Sequence, residues 1–212
     1  GMEDRFENLP LECSHLYLAI EGKLAAVICV EDPLREEAAD AVRELKEAGI
    51  TKVVMMTGDS ERTAAAIAKR VGVDEYYSEV LPEDKASFVE KEKELGHKVI
   101  MIGDGINDSL ALSSASVGIA ISDGAAIARE IADVTISADN LHEIVTLKRL
   151  STALMKRIHN NYRTIIGING GLIALGVTGI IMPTTSALLH NMSTLTISLR
   201  SMRNLLPKEE EA

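Results

Sequence analysis

The sequence predicts an α/β protein with an open, mostly parallel sheet that carries helices on both faces, followed by an apolar helical hairpin. Three observations predict this fold. Short apolar runs alternate with segments of helical period as far as residue 136. Glycine, serine and aspartate mark most of the short connections. Lastly, no Asp, Glu, Lys or Arg occurs in the 36 residues from Thr164 to Leu199.

The first elements of the predicted domain are a hairpin and a helix. Two apolar runs, Leu16–Ile20 and Leu24–Val30, flank a turn at Gly22. A helix is expected from Leu34 to Ala48, because its alanines, Val42 and Leu45 recur at helical spacing. The next elements in order are a strand at Val53–Met56, a helix at Glu61–Val71 capped by Ser60 and closed by Gly72, and a weak strand at Tyr76–Val80.

The rest of the domain repeats the alternation of strand and helix. In order, we expect a helix at Pro82–Leu95, a strand at Val99–Ile102, a helix at Asn107–Ser114, a strand at Val117–Ile121, a helix at Ala125–Ala132 and a strand at Val134–Ile136. In a parallel sheet of this kind, ligands bind at the carboxyl ends of the strands.

Charge divides the chain near residue 150. Residues 1–150 carry 16 basic and 29 acidic side chains, a net −13, whereas residues 151–212 carry 6 basic and 3 acidic ones, a net +3. The acidic balance, together with an aromatic content of 3%, argues against nucleic acid as a partner. The sequence therefore predicts an acidic soluble domain followed by an apolar tail.

Two strands end in glycine and aspartate, in the segments Thr57-Gly58-Asp59 and Gly103-Asp104-Gly105-Ile106-Asn107-Asp108. Lys85 lies at the start of the helix between them. Carboxylates hold Mg²⁺, while lysine and threonine bind phosphate oxygens, so one rim of the sheet has the groups that phosphoryl transfer needs. Taken singly, Thr57–Asp59 is also typical of a capped turn and Lys85 of a solvated helix residue. The second segment is harder to explain by packing alone.

These segments resemble the P-type ATPases, ion pumps whose phosphorylation domain is haloacid-dehalogenase-like. Thr57-Gly58-Asp59 is similar to their phosphate motif, and Leu81–Lys85 is similar to their Pro-x-x-Lys segment. The segment Gly103–Asp108 matches their Mg²⁺ hinge motif, and the tail is similar to the last two membrane helices of the heavy-metal (type IB) branch.

The resemblance implies roles for individual residues. Thr57, Gly58, Asp59 and Lys85 would contact phosphate, Asp104 and Asp108 would hold Mg²⁺, and Asn107 would lie beside it. It also implies that residues 1–30 hold the last hairpin of a nucleotide-binding domain, residues 31–150 the phosphorylation domain, and residues 151–206 a transmembrane hairpin. Mg²⁺ would be the cofactor, with ATP used only in the whole pump.

One feature of the family is absent from these 212 residues. The phosphorylated aspartate of P-type ATPases lies in Asp-Lys-Thr-Gly-Thr on the central strand, and no such string occurs here. We therefore expect a C-terminal fragment that does not phosphorylate itself, since a covalent aspartyl-phosphate needs its nucleophile. We further hypothesise that Leu24–Val30, followed by Glu31 and Asp32, occupies the vacant central position of the sheet.

The apolar tail predicts two short membrane spans joined at Pro183. Basic residues precede the first span and follow the second, which indicates that both ends, with residues 1–160, lie on the cytosolic side of the cell membrane. The alternative is a soluble helical pair hidden against a second copy in a homo-oligomer.

Polar side chains in the second half of the tail form a candidate path for the transported cation. His190, Asn191, Ser193 and Thr194 lie in an uncharged segment, and polar groups in a membrane span often mark an ion path. Hydrogen bonding between helices is the alternative explanation. The residue types do not name the metal.

Three functions follow from these observations. The first is a part of an ATP-driven heavy-metal transporter, whose partners are the transported cation and the remainder of the pump. The second is a non-catalytic truncated module that binds Mg²⁺ or phosphate, or regulates a full pump. The third is a soluble haloacid-dehalogenase-like phosphatase, which would need a nucleophile of its own.

Overall fold

A computed structural model describes residues 14–30, 34–104, 107–121, 130–136 and 140–205. The chain divides into two compact units, residues 1–145 and residues 146–212. In chain order the elements are β1 (Ser14–Ile20), β2 (Lys23–Val30), α1 (Ala38–Glu47), β3 (Val54–Met56), α2 (Glu61–Val71), β4 (Glu75–Tyr77), α3 (Pro82–Glu94), β5 (Ile100–Gly103), α4 (Ser109–Ser114), β6 (Val117–Ile121), β7 (Val134–Ile136), α5 (His142–Val177) and α6 (Pro183–Ser201). The α/β class with parallel strands is confirmed, while most of the predicted helix 125–132 lies outside the described residues.

The parallel strands of the first unit form two separate sheets. β3 pairs with β4, and β6 lies between β5 and β7. Within the described part of the chain, neither β3 nor β5 pairs with a strand along its second edge. The parallel strands are therefore divided into two groups, β3–β4 and β5–β6–β7, and β3 and β5 both end at segments that carry the predicted site.

The hypothesis that Leu24–Val30 fills this division is wrong. β2 instead forms an antiparallel hairpin with β1. Ile20 pairs with Lys23 next to the turn, and Ser14 pairs with Val30 at the open end. Glu21 and Gly22 both have positive φ, 49° and 74°, which is the backbone of a two-residue hairpin turn. Closing the two-residue turn between β1 and β2 costs far less chain entropy than placing β2 beside a strand that is distant in the chain. In the described residues, β1 is accordingly the one strand that pairs with β2.

Local capping signals fix where the helices beside the site begin and end. The Ser60 hydroxyl accepts a hydrogen bond from the Thr63 N–H at 3.5 Å, and Gly72 ends α2 with a φ of 80°. Pro82 starts α3, and the Asp84 carboxylate accepts the Leu81 N–H at 3.2 Å. These caps confirm the predicted helix starts.

The small core behind the site lies between α3, α4 and β5. Its buried members are Ala86, Val89 and Ala111, with Val99 and Met101 packed against them. Leu112 is also buried, and its carbonyl lies so near β6 that a Cβ at Gly118 would be 2.6 Å from it. Close backbone packing thus holds α4 against β6, which sets the position of the loop before α4.

The second unit is built from two helices that run side by side in opposite directions. α5 and α6 are joined by a turn in which Gly179 has a φ of 72°. The Arg157 guanidinium donates hydrogen bonds to the carbonyl oxygens of Ser201, at 2.9 Å, and Asn204, at 3.0 Å, and it also contacts the carbonyl of Arg203. Arg157 therefore satisfies carbonyl groups that α6 leaves free at its end.

Neither helix meets the prediction of a membrane span. Among the described residues, no helix has both the length and the apolar character needed to cross a membrane. The physical reason lies in the helix bounds: the last charge of α5 is Arg163, and the helix ends 14 residues later at Val177. The uncharged part of α6, from Pro183 to Leu199, is longer, but it carries serine, threonine, asparagine and histidine throughout, whereas a span needs about 20 mainly apolar residues.

One side chain joins the start of β3 to α1 and to the end of α2. Asp74 accepts hydrogen bonds from Lys46 Nζ and from the Val53 N–H, each at 2.7 Å. Lys46 Nζ also donates to the Gly72 carbonyl at 3.0 Å. Two hydrogen bonds hold the pKa of the Asp74 carboxyl below its ordinary value: the one from the Lys46 ammonium has the larger effect, and the one from the Val53 N–H has the next largest.

We predict that Asp74→Asn lowers the stability of the first unit at neutral pH. A lowered folded pKa stabilises the fold above the ordinary aspartate pKa of about 3.9, and this contribution disappears as the pH falls through the folded value. The variant should therefore melt below the wild type at neutral pH and approach it in acid. Thermal unfolding across the pH range measures this. Asp40→Asn is the control, because in the described residues Asp40 forms an ion pair with the exposed Arg43 of its own helix. A constant difference between the Asp74 variant and the wild type at every pH would contradict the account.

Candidate functional site

The segment Thr57-Gly58-Asp59 forms a tight turn directly after β3. The Thr57 hydroxyl donates to Asp59 Oδ2 at 2.7 Å and accepts the Asp59 N–H at 3.1 Å. The Thr57 N–H donates to the Tyr77 carbonyl at 3.0 Å, and the Val80 N–H donates to the Thr57 carbonyl at 3.0 Å. The predicted strand at 76–80 stops early because Glu79 turns the chain with a φ of 53°. Thr57 is thus anchored to both neighbouring segments, while Gly58 and Asp59 are exposed.

Lys85 and Asp108 form an ion pair that is largely shielded from water. Lys85 Nζ lies 2.8 Å from Asp108 Oδ1, and the two side chains are 16% and 12% exposed. The hydrogen bond from the Leu81 N–H to Asp84 fixes the first turn of α3, and Lys85 is the next residue along that helix. Asp108 lies at the start of α4, where its carbonyl accepts the Leu112 N–H at 2.8 Å. A buried pair of this kind is strongly destabilised when one partner is lost, because the other charge stays buried.

Gly103 gives the Asp108 carboxylate its space. A Cβ at residue 103 would lie 2.4 Å from Asp108 Oδ2 and 2.7 Å from its Cβ, distances that real side chains do not show. Glycine is therefore required at the end of β5 for Asp108 to reach Lys85. At Gly58, the nearest atom to an added Cβ would be the Val80 carbonyl oxygen at 3.9 Å, an ordinary contact.

Asp104 and Asn107 form the outer part of the loop after β5. Asp104 Oδ1 accepts the Asn107 N–H at 3.4 Å, and both residues are exposed. Residues 105 and 106, between them, lie outside the described part of the chain. The contacts of the predicted site residues therefore form two groups, one within the turn after β3 and one around the loop after β5. No hydrogen bond of the described residues joins Thr57 or Asp59 to Lys85 or Asp108.

The donor chemistry of the loop after β5 fits Mg²⁺. Asp104 and Asp108 offer carboxylate oxygens and Asn107 an amide oxygen, the hard ligands that this ion takes. In the described residues, no group of three or more His, Cys, Asp and Glu is placed to hold a metal. Mg²⁺ needs no such cage, since it is commonly held by one or two carboxylates together with phosphate oxygens and water.

Asp133 is a supporting residue that was not predicted as part of the site. Its Oδ2 accepts the Gly118 N–H at 2.8 Å, which ties the start of β7 to β6. The contact bridges residues that are 15 apart in sequence, so nothing in the local pattern indicates it. A carboxylate immediately before a strand was the only available signal.

The four polar residues proposed for a cation path are not all brought to one place. His190 Nδ1 lies 2.9 Å from Asn169 Oδ1, at a cavity of about 610 Å³ between α5 and α6. The hydroxyls of Ser193 and Thr194 donate to the His190 carbonyl, at 2.8 Å and 3.0 Å. Asn191, Ser193 and Thr194 do not line this cavity, whereas Ser186 does.

The chain belongs to the haloacid dehalogenase-like hydrolase family, which its residues 2–116 match. It is also similar to heavy-metal P-type ATPases. It is 44% identical over 176 residues to the copper-transporting ATPase 2 of Rhizobium meliloti, covering 83% of this chain and 21% of that protein. It is 38% identical over 189 residues to the manganese-exporting P-type ATPase of Mycobacterium bovis, covering 89% of this chain and 26% of that protein.

Solved structures support the same kinship. The crystal structure of a zinc-transporting PIB-type ATPase in the E2.Pi state superposes with a TM-score of 0.81 at 31% identity. The match covers 93% of this chain and 32% of that one. The chain therefore spans about a fifth to a third of the proteins that it matches.

We predict that Gly103→Ala destabilises the first unit by about 1–3 kcal/mol, the usual cost of overpacking a well-packed position. The new methyl group must displace the Asp108 carboxylate, whose Oδ2 would be only 2.4 Å away. Gly58→Ala is the matched control, because the same methyl group meets nothing nearer than 3.9 Å there. Urea unfolding of both variants measures the difference. Equal midpoints for the two alanine variants would show that Gly103 is not needed for space.

Proposed function

We propose that these residues form part of an ATP-driven heavy-metal cation transporter, in which they carry the Mg²⁺-binding and phosphate-binding half of the phosphorylation site. The observation that carries the proposal is the shielded Lys85–Asp108 pair at the carboxyl end of β5, with Gly103 making room for it. Similarity to copper-transporting and manganese-exporting ATPases over more than four-fifths of the chain supports the wider assignment.

In the proposed site, each residue has a distinct task. Lys85 has three N–H donors and uses one on Asp108, so the others can bind phosphate oxygens. The Thr57 turn presents Gly58 at the surface, where a backbone without a side chain lets a phosphate approach closely. Asp104 and Asp108, with Asn107 beside them, would hold Mg²⁺. When bound, that ion neutralises charge that develops on the transferred phosphoryl group.

The chain by itself is proposed to be inactive. Its 212 residues do not contain the Asp-Lys-Thr-Gly-Thr string that supplies the nucleophile in P-type ATPases. In the proposal, residues 1–30 belong to the nucleotide-binding domain, residues 31–150 to the phosphorylation domain and residues 151–206 to the C-terminal helices. ATP, the transported cation and the rest of the pump are the partners, and residues 1–160 lie on the cytosolic side of the cell membrane.

We propose His190 as the residue of the C-terminal helices that meets the cation. Its Nδ1 lies beside Asn169 and the residue lines the cavity between the helices, so Nε2 would be the ring nitrogen that binds the cation, and imidazole suits zinc and copper. Asn191, Ser193 and Thr194 would act from neighbouring positions. The metals named for the relatives differ, so similarity does not choose among them.

We predict that Mg²⁺ raises the melting temperature of the wild-type chain and that Asp104→Ala removes this effect. A ligand that binds only the folded state stabilises it in proportion to the logarithm of its concentration. Glu36→Ala is the control, since it removes one exposed carboxylate of the first unit that lies far along the chain from the loop. Thermal unfolding at a series of Mg²⁺ concentrations measures the effect. An undiminished Mg²⁺ response in the Asp104 variant would place the ion elsewhere.

The wild-type chain and its Asp104→Ala variant also test the phosphatase alternative. The proposed pump fragment should not hydrolyse p-nitrophenyl phosphate in the presence of Mg²⁺. Turnover that Asp104→Ala abolishes would show a nucleophile within these residues and would favour a haloacid-dehalogenase-like phosphatase.

We predict that an antibody raised against the chain detects one band several times larger than 22.9 kDa in the membrane fraction of the source cells. This size follows if the chain is part of a pump as long as its relatives, of which it covers 21% and 26%. An immunoblot measures it, and the purified antigen should show ATP hydrolysis that depends on a heavy-metal ion. A band near 22.9 kDa would instead favour a separate binding or regulatory module.

A further inference from the structure

A second cavity between α5 and α6 lies at the end of the helical pair and is strongly basic. It has a volume of about 370 Å³, and four cationic side chains line it, namely Lys156, Arg157, Arg200 and Arg203. Asn160, Asn161, Thr164 and Asn204 supply the neutral polar groups of its wall, and none of the described residues that line it is acidic. The cavity lies wholly within the second unit and is distinct from the one at His190.

Only one of the four cations has a structural task in the described residues. Arg157 donates to the carbonyl oxygens at the end of α6. Lys156, Arg200 and Arg203 make no side-chain hydrogen bond or ion pair with any other part of the chain that the structure describes. Three like charges around one cavity repel each other unless an anion joins them. The cavity therefore has the charge and the donors of an anion site.

The geometry of the donors favours a phosphate group. Arginine guanidinium groups present paired N–H donors that match phosphate oxygens, and lysine adds a point charge. Asparagine amides and a threonine hydroxyl can bind the remaining oxygens. A volume of about 370 Å³ holds a phosphate with a small polar substituent, and it is larger than a single inorganic ion requires.

The surroundings of the cavity point to a lipid as the carrier of that phosphate. The cations flank the 36 residues from Thr164 to Leu199 that contain no charge. Apolar side chains near the cationic positions are exposed: Met202, between two of the arginines, is 80% exposed, and Leu199 is 59% exposed. Basic pockets next to apolar helix surfaces bind the headgroups of anionic phospholipids.

We propose that this cavity binds the phosphate headgroup of an anionic phospholipid, so that Lys156, Arg200 and Arg203 seat the end of the helical pair on a membrane surface. The proposal does not depend on metal transport, because it uses neither the loop after β5 nor His190. It requires only that the C-terminal helices lie against lipid at this end.

The test is flotation of the full 212-residue chain with vesicles of phosphatidylcholine alone or mixed with phosphatidylglycerol. The wild type should bind the mixed vesicles and bind phosphatidylcholine much more weakly. Arg200→Gln and Arg203→Gln should each weaken binding to mixed vesicles by about fivefold, the equivalent of about 1 kcal/mol for each cation near an anionic surface. Circular dichroism confirms that the variants keep their helices.

Arg163→Gln is the matched control. Arg163 is exposed on α5 close to the cavity in sequence, but it does not line it. Arg163→Gln removes the same charge from a position outside the cavity. It should therefore weaken binding much less than Arg200→Gln does. Equal losses in the two variants would show general attraction to a charged surface and would overturn the cavity site.

Two further results would also overturn the proposal. If the chain binds inorganic phosphate, without vesicles, as tightly as it binds mixed vesicles, the cavity is a site for a soluble anion. Glu209, Glu210 and Glu211 are the acidic residues that follow α6 in the sequence. If binding occurs only after all three are changed to Gln, these glutamates and not a lipid are the native counter-charge.

Discussion

The contact between Lys85 and Asp108 is the interaction around which the loop after β5 and its two neighbouring helices are arranged. It joins the first turn of α3 to the first turn of α4 across 23 residues, with both side chains mostly shielded from water. Its geometry makes demands on its neighbours: Gly103 must lack a side chain, and the cap at Asp84 must place Lys85 in the first turn. A buried ion pair is a weak source of net stability, because the cost of desolvating two charges offsets their attraction. The pair therefore contributes position more than net stability, since it fixes α3 against α4 at the loop after β5.

The features that were predicted from the sequence are those that neighbouring residues decide. Ser60 and Gly72 define α2 because capping and positive φ act within one turn of the helix. The hairpin at Gly22 and the strand that ends at Gly103 were found for the same reason. In the candidate site, Lys85 and Asp108 were predicted as separate contributors, whereas their 2.8 Å contact was not predicted, because it depends on how α3 packs against α4.

The failed predictions share a different cause. The hypothesis placed Leu24–Val30 in the centre of the sheet, beside strands that are distant in the chain. In the described residues this strand pairs with β1 across the two-residue turn. The first expected span was the uncharged apolar stretch from Ile165 to Met182, whereas the helix that holds its first part begins at His142 and ends at Val177. The helix therefore ends five residues before that stretch does, which shortens its apolar run below the length of a span. In the described residues β2 has a strand on one edge only, and α5 ends before the uncharged stretch does. Neither fact is contained in a single window of sequence.

The division of the parallel strands into two sheets has a consequence for how the first unit opens. A continuous sheet shares one hydrogen-bonded ladder, so its strands protect each other's amides and unfold together. Here β3–β4 and β5–β6–β7 each have a ladder of their own, and no strand pairing joins the two sheets in the described residues. Local opening follows such ladders as cooperative units. The two halves should therefore exchange their amide hydrogens with solvent at separate rates, and the slower half should be the one whose strand and helices form the core around Val89.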